Sequence, residues 1–417
     1  MGARSPGYLP STVFQVLYGP YPRSLLDLWF ARIRREKLYL AMNSTNYISY
    51  MHTDVTASSP EELSEIEKRW VTFQPYLLSK GYQLRPRYRP GWKPSWEGTN
   101  LDPISCEDSG NAVPVRTLDA TRLSDQLQVI IKMVIPSDDD REGEEELDIV
   151  QHLSSNPYST DPRNHTVECL DSFAVPGLDR AVFYVMPLLR EYNDPPFHNL
   201  YEIRNFLVQI FEGLRFLHVN DIAHCDIASA NIMMNGQTLY DEPFHPFYQD
   251  FSLDRKRQIR ARYLRSQRPV RYYFIDFGYA KWFRDPAQPR VVHGYRARER
   301  TPEQLRGNAY DPFKSDIYQL GALIRRDLIP EYPALRFLLP LAREMTDYNP
   351  AKRPKLEQAY KALVTQFDDC PGWAVRWPIV TRGASLRERY VAFVAGATAE
   401  LFFLLEQFVA LFFPRVA

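Results

Sequence analysis

The segment HCDIASAN (His224 to Asn231), read together with IDFG (Ile275 to Gly278), decides how this chain folds and what chemistry it can carry. Asp226 and Asn231 stand five positions apart, which lets a carboxylate face an incoming hydroxyl while a downstream amide oxygen reaches a metal ion. Asp276 offers a second metal ligand. Hard carboxylate and amide oxygens are the donors that Mg²⁺ prefers. Phosphoryl transfer asks little covalent work of a protein, so positioning and neutralisation of charge on phosphate oxygens supply most of the rate. These residue types point to magnesium-assisted phosphoryl transfer.

Upstream, QVIIKMV (Gln128 to Val134) is an apolar, β-branched run interrupted by Lys132, as expected of a buried strand that aims one ammonium at a phosphate. Taken alone, the same run reads equally as a strand with a snorkelling surface lysine. In REGEEELDIVQHL (Arg141 to Leu153), Leu147, Val150 and Leu153 recur at helical spacing and leave Glu146 beside the apolar stripe. Glu146 is therefore the expected partner of Lys132. Glu144 and Glu145 are rivals, and all three could instead form a solvated helix start favoured by the helix dipole.

Downstream come RTPEQL (Arg300 to Leu305), KSDIYQLGALI (Lys314 to Ile324) and NPAKRP (Asn349 to Pro354). With the segments above, in this order, the chain resembles a eukaryotic protein kinase. That resemblance implies an α+β fold of two lobes, a small β-rich one and a large, mainly helical one. It also implies ATP and Mg as cofactors and Asp226 as catalytic base, with Asn231 and Asp276 on the metal. Lys132, paired with Glu146, would hold the nucleotide phosphates, and Met186 in YVMPLLR would lie against the nucleotide. Structural roles fall to His224, Phe277, Gly278 and Asp316, and to Glu303 paired with Arg353. At a finer level, GYQLRPRYRPGWKPSW, ECLDSF, YVMPLLR, HCDIASANIMMN and a long insertion before IDFG resemble the fungal-type protein kinases of mushroom-forming fungi.

Composition agrees with a sizeable core: 45% of residues are hydrophobic. Lys and Arg number 51 and Asp and Glu 51, so total charge supplies no nucleic-acid footprint. The four cysteines lack paired metal spacing, and MGARSPGYLP has no apolar run. Both features lead us to expect reduced thiols and an intracellular, cytoplasmic protein. Residues 1–100 read as an extension with an apolar helix (Ser24 to Met42), the acidic helix start SPEELSEIEKRW and an extended arm rich in Pro, Arg and Trp laid against a folded surface. The small lobe is expected over 101–189 and the large lobe over 190–368, with an insertion at 236–272 and a tail at 369–417. In the insertion, YDEPFHPFYQDF precedes the basic DRKRQIRARYLRSQR. It reads as a solvated element on the lobe, or as a docking surface for an acidic or phosphorylated partner.

Three departures from the kinase pattern bear on activity. VPVRTLDATRLSDQLQV, taken as the stretch that should roof the phosphates, has no glycine, and Gly110 lies too early to substitute. Cys225 replaces the Arg that reads activation-loop phosphorylation, which makes this a non-RD sequence. Ala228 and Ala230 stand where Ser/Thr and Tyr kinases respectively place a cation. An active protein kinase of the serine/threonine type, acting on a protein substrate of unknown identity, is the first expectation. A pseudokinase scaffold and a small-molecule phosphotransferase are the alternatives. Tyr295 and Thr301 are candidate modification sites. The tail helix is expected over 386–413, and from Tyr390 to Phe413 it is apolar apart from Glu400, Glu406 and a few neutral polar groups. It is expected to dock on the kinase or a partner by one face, or alternatively to anchor in a membrane.

Overall fold

The computed structural model describes residues 59–109, 115–138, 141–294 and 296–412. The Ser24 to Met42 helix, Gly110 and Tyr295 lie outside the described residues, as do the side chains of Glu406 and Gln407.

Five strands form an antiparallel sheet in the order β1-β2-β3-β5-β4: β1 (Tyr82–Leu84), β2 (Thr117–Arg122), β3 (Gln128–Val134), β4 (Asp171–Ala174) and β5 (Val182–Pro187). Helix α1 (Glu65–Ser79) starts in a capping box, in which Ser64 Oγ accepts from the Glu67 N–H and the Glu67 carboxylate accepts from the Ser64 N–H. Its apolar face carries Trp70 and Phe73 onto Phe183 of β5, with ring centroids 5.8 and 5.3 Å away. Such buried aromatic side chains each contribute roughly 3 to 5 kcal/mol against truncation. Leu118, Ile131, Leu77 and Leu84 complete this core. The small lobe thus begins before residue 101. The acidic helix start and strand β1, read from sequence as part of an extension, are built into its sheet and core.

The large lobe is centred on α3 (Leu200–Val219), whose Phe206, Leu207, Ile210, Phe211 and Leu214 are buried. Helix α2 (Glu146–Leu153) joins the same apolar cluster through Ile149, Val150 and Leu153. Two small ribbons then set the site. Strand β7 (Ile222–Ala223) pairs with β10 (Lys281–Trp282), while β8 (Ile232–Met234) pairs with β9 (Tyr272–Phe274) and with β6 (Arg190–Glu191). The β7–β8 loop carries HCDIASAN and the β9–β10 loop carries DFG. Because both flanking strand pairs are zipped together, the two loops must lie side by side. Beyond them run α4 (Pro302–Leu305), α5 (Pro312–Ala322), α6 (Leu339–Met345), α7 (Leu356–Asp368), α8 (Gly372–Arg376) and α9 (Leu386–Phe412). Helix α5 approaches α6 so closely that a Cβ on Gly321 would come within 2.5 Å of the Met345 Cβ.

The glycine-poor stretch expected to form the phosphate roof is instead the β2–β3 hairpin, with Thr117 opposite Lys132. The connection that corresponds to a roof, between β1 and β2, runs from Arg85 to Arg116 and includes Gly91 and Gly98 at φ 73° and 70°. Propensity alone could not reveal this, since β1 is three residues long and its partner is remote in sequence. The connection holds the Pro/Arg/Trp arm, which is folded rather than extended: Arg87 is fully buried, and Trp92 Nε1 donates to Asp108 Oδ2 at 2.9 Å. It also reaches the large-lobe insertion, where Arg255 donates to the Cys106 and Ile104 carbonyls and His245 lies 3.2 Å from Glu107.

Several basic residues of the insertion are engaged within it or by the lobe, two of them at the surface. Arg257 pairs with Glu242 and Arg262 with Asp241, while Arg265 is buried and donates to the Tyr192 and Pro195 carbonyls. Two surface ion pairs thus join the acidic and basic halves, and the buried Arg265 ties the insertion to the lobe, in keeping with the reading as an element packed on it. Helix α9 seats one face on the α8 region: Arg376 pairs with Glu400 at 2.7 Å, and Phe393 lies 5.8 Å from Trp377. Among the described residues, no helix is long and apolar enough to cross a membrane. The four cysteines are free thiols.

Candidate functional site

Lys132 projects from the centre of β3, the opposite way from Ile131 and Met133, whose side chains enter the small-lobe core. Its ammonium donates to Glu146 Oε1 at 2.5 Å and to Asp276 Oδ1 at 2.8 Å. Glu146 is 2% exposed on the first turn of α2, and the hydroxyl of Tyr184, opposite Lys132 on β5, donates to it at 3.2 Å. Burial works against the Lys132 charge, yet the two carboxylates outweigh it and hold its pKa well above the ordinary lysine value. Asp276 is the converse case. Burial raises its carboxyl, but Lys132 and Arg298 overcome that and hold it far below the usual carboxylate range. Glu144 bonds to Arg141 and Glu145 to Lys281, so Glu146 alone of the three rivals meets Lys132.

Asp226 lies 3% exposed, with its pKa pushed up to about 7 by burial, against the opposing pull of the Arg298 N–H and guanidinium. Asn231 donates from Nδ2 to both the Asp226 carbonyl and its Oδ2, each at 2.8 Å. The Asn231 Oδ1 is buried with no hydrogen-bond partner among the described residues. An orphaned amide oxygen of this kind costs about 1 to 3 kcal/mol unless something uses it. That amide oxygen and the Asp276 carboxylate are hard oxygen donors of the kind that fits Mg²⁺. Among the described residues, no group of three His, Cys, Asp or Glu side chains is arranged to hold a metal, so a cation here would share its coordination with phosphate oxygens and water.

Both loops are held from below. Asp316 on α5 accepts from the His224 N–H at 2.9 Å and the Cys225 N–H at 2.8 Å, and His218 Nε2 lies 2.9 Å away. Cys225 and Asp276 adopt left-handed backbone, φ 64° and 65°, a conformation costing about 1 to 3 kcal/mol that only over-determined surroundings sustain. His224 Nε2 lies 3.2 Å from the Ile275 carbonyl, and its ring lies 4.9 Å from that of Phe277. The Gly278 carbonyl accepts from the Gly143 N–H at 2.7 Å, and a Cβ there would sit 3.4 Å from Asp276 Oδ1. Glu303 and Arg353 form a buried two-pronged pair at 2.6 and 2.7 Å. Met186 is 8% exposed within β5, opposite Ile130, so any contact it makes with a nucleotide is limited to its edge. Thr301 is fully buried and caps α4, which accounts for it structurally.

Three participants escaped the sequence reading. Tyr184 stands two residues before Met186 and faces Glu146. Gln319 accepts from the Ile227 N–H and donates to the Cys225 and Glu299 carbonyls, tying catalytic loop to activation segment. Its position three residues after Asp316 on one helix was an available signal. Arg298 contacts both Asp226 and Asp276, and no local pattern distinguished it from its arginine neighbours.

Against known proteins, the family described as Protein kinase domain matches residues 118–335, more than half of the chain. Cyclin-dependent kinase E-1 of Arabidopsis thaliana is 24% identical over 195 residues, covering 45% of this chain. The chain spans only 34% of the length of that relative.

Proposed function

Since this chain belongs to the protein kinase domain family, we propose that it is an active kinase of the serine/threonine type, moving the ATP γ-phosphoryl group to a protein hydroxyl. The observation that carries the reading is the convergence of Lys132, Glu146 and Asp276 beside the Asp226–Asn231 pair. In this proposal Asp226 faces the acceptor hydroxyl and receives its proton, and Lys132 orients the nucleotide phosphates. Asp276 and the free Asn231 oxygen hold the magnesium ion, which supplies neutralising charge to the phosphate oxygens. The buried Glu303–Arg353 pair fixes the end of the activation segment, which supports a protein substrate over a small molecule. The sequence motifs of the arm and catalytic loop support placement with the fungal-type kinases.

A scaffold without efficient turnover is the second reading, favoured by the absence of a cation at Ala228 and Ala230. Incubating the purified protein with Mg²⁺-ATP and generic protein substrates, beside Asp276→Ala, separates the two. Transfer by the wild type and at least a hundredfold loss in the variant is expected. Equal incorporation by both proteins would reveal a contaminating kinase and defeat the active reading.

A further inference from the structure

The catalytic loop DIASAN carries no cation between Asp226 and Asn231, yet a charge to meet the transferring phosphoryl group is present in the folded chain. It comes from the other direction. Arg298 enters from the activation segment, three residues before Thr301, and its backbone N–H donates to Asp226 Oδ1 at 2.6 Å. Its Nε stands 3.4 Å from Asp226 Oδ2, and its Nη2 lies 3.1 Å from Asp276 Oδ2. The guanidinium thus spans the gap between the group that would take the hydroxyl proton and the group that would hold the metal. Its side chain is 27% exposed, so the guanidinium is not sealed off from solvent.

Arg298 is placed rather than loosely parked. The next residue, Glu299, is fixed twice: its carbonyl accepts from Gln319 Nε2 at 3.0 Å, and its carboxylate pairs with Arg326. Thr301, two residues further on, is locked by the α4 capping box. These anchors hold the backbone just C-terminal to Arg298, and Gln319 ties it to the catalytic loop, so the fold constrains the reach of Arg298. A planar fork of N–H donors suits peripheral phosphoryl oxygens better than a point charge does.

Resting on the kinase reading above, we propose that Arg298 is a catalytic residue that supplies in cis, from the activation segment, the phosphoryl-binding cation that the catalytic loop lacks. In the step, the bond from the γ-phosphorus to the β–γ bridging oxygen breaks and its electron pair stays with ADP. A bond from the acceptor oxygen to phosphorus forms, and the hydroxyl proton passes to Asp226. Arg298 keeps its own protons throughout and donates hydrogen bonds to the peripheral oxygens of the moving group, where charge is greatest.

The test uses the full chain as wild type, Arg298→Ala and Arg298→Lys, with melting curves to confirm folding. Calorimetry measures Mg²⁺-ADP binding with and without aluminium fluoride, a mimic of the phosphoryl group in flight, and phosphate transfer is measured in parallel. We expect Arg298→Ala to bind Mg²⁺-ADP within twofold of wild type but to lose at least tenfold in affinity for the fluoride complex. Transfer should fall about 10² to 10³-fold, with partial recovery in Arg298→Lys. Wild-type and variant proteins that respond alike to fluoride and transfer phosphate at equal rates would overturn the role of Arg298 while leaving the kinase reading intact. Faster transfer or tighter ADP binding by Arg298→Ala would overturn it too, by identifying Arg298 as a plug. A wild type that binds neither complex would defeat both proposals.

Discussion

Replacing Arg87 by Met tests whether the long β1–β2 connection is a structural member of the small lobe. The guanidinium is fully buried, donating to both Glu67 carboxylate oxygens at 2.7 and 3.3 Å and to the carbonyls of Pro60, Glu62 and Asp108. It also stacks 4.7 Å from the Trp92 ring. Methionine keeps much of the stem and removes every one of those donors. Glu67 is itself fully buried, so its charge is stranded, and breaking a buried pair in this way costs roughly 3 to 5 kcal/mol. The Pro60 and Glu62 carbonyls lie near the surface and recover part of their hydrogen bonding from water, which sets the expected loss at about 4 kcal/mol. Glu67 retains the Ser64 N–H as a partner, and Glu67→Gln preserves that bond while removing the charge. The double variant Arg87→Met/Glu67→Gln should therefore regain at least about 2 kcal/mol. Equilibrium urea unfolding followed by tryptophan fluorescence reads both values, since Trp92 stacks on Arg87 and the buried Trp70 lies on the same helix as Glu67. A single variant that loses less than about 1 kcal/mol, or a double variant no more stable than the single one, refutes the reasoning.

Other perturbations address the remaining parts of the molecule. Tyr184→Phe removes one hydrogen bond to the buried Glu146 carboxylate and should cost about 1.5 to 3 kcal/mol in urea unfolding; unchanged stability would show that the hydroxyl is dispensable. His165 is buried beside the Tyr272 carbonyl, and burial lowers its pKa from 6.5 to about 4. Its neutral form is favoured by folding, so stability is full above pH 6.5 and falls as the pH drops towards 4, by up to about 3 kcal/mol. His165→Gln should flatten that part of the stability profile, and an unchanged slope would assign it to other groups. Gly396→Val would place a Cβ about 2.7 Å from the Trp377 ring, lifting α9 off the lobe. Limited proteolysis should then release the C-terminal helix faster than in wild type, and an equal rate would mean that the contact does not hold it.

What the sequence disclosed, and what it withheld, follows from the range of the interactions. Lys132, Glu146, Asp226, Asn231 and Asp276 each stand on an element with its own periodicity or spacing, so their convergence follows once the elements are placed in order. Arg298 is different. In YRARER, Arg296, Arg298 and Arg300 recur at every second position, and nothing local says which of them meets Asp226. That choice is made by Gln319 and by the α4 cap, which fix the backbone from outside the segment. The small-lobe boundary was hidden for a related reason. Strand β1 offers only Tyr82 to Leu84, and its partner Ala120 to Arg122 lies beyond the whole arm. The charge blocks of the insertion left two readings open, a solvated element on the lobe or a docking surface, and the fold adds that a turn brings Glu242 to Arg257 and Asp241 to Arg262.

The placement of α2 shows how the proposed chemistry could proceed without a charged residue at position 225. The Cys225 thiol is 4% exposed and burial pushes its pKa well up, so it offers no charge to a phosphorylated loop residue. Yet Glu146 has to be held against Lys132, and the chain holds it by contacts to the far side of DFG. Glu145 pairs with Lys281 and accepts from the Trp282 N–H at 2.7 Å, Gly143 donates to the Gly278 carbonyl, and Asp148 pairs with Arg284 at 2.6 Å. Strand β10, which carries Lys281 and Trp282, is itself paired to β7 at the root of the catalytic loop. Helix, activation segment and catalytic loop are therefore cross-linked through one short ribbon. Asp148–Arg284 is exposed and adds at most about 1 kcal/mol, whereas Glu145–Lys281 is largely screened from water and bears on an element buried at both ends. A modification that ordered this region would be acting on an arrangement whose fixed ion pairs already bring Lys132 and Glu146 together.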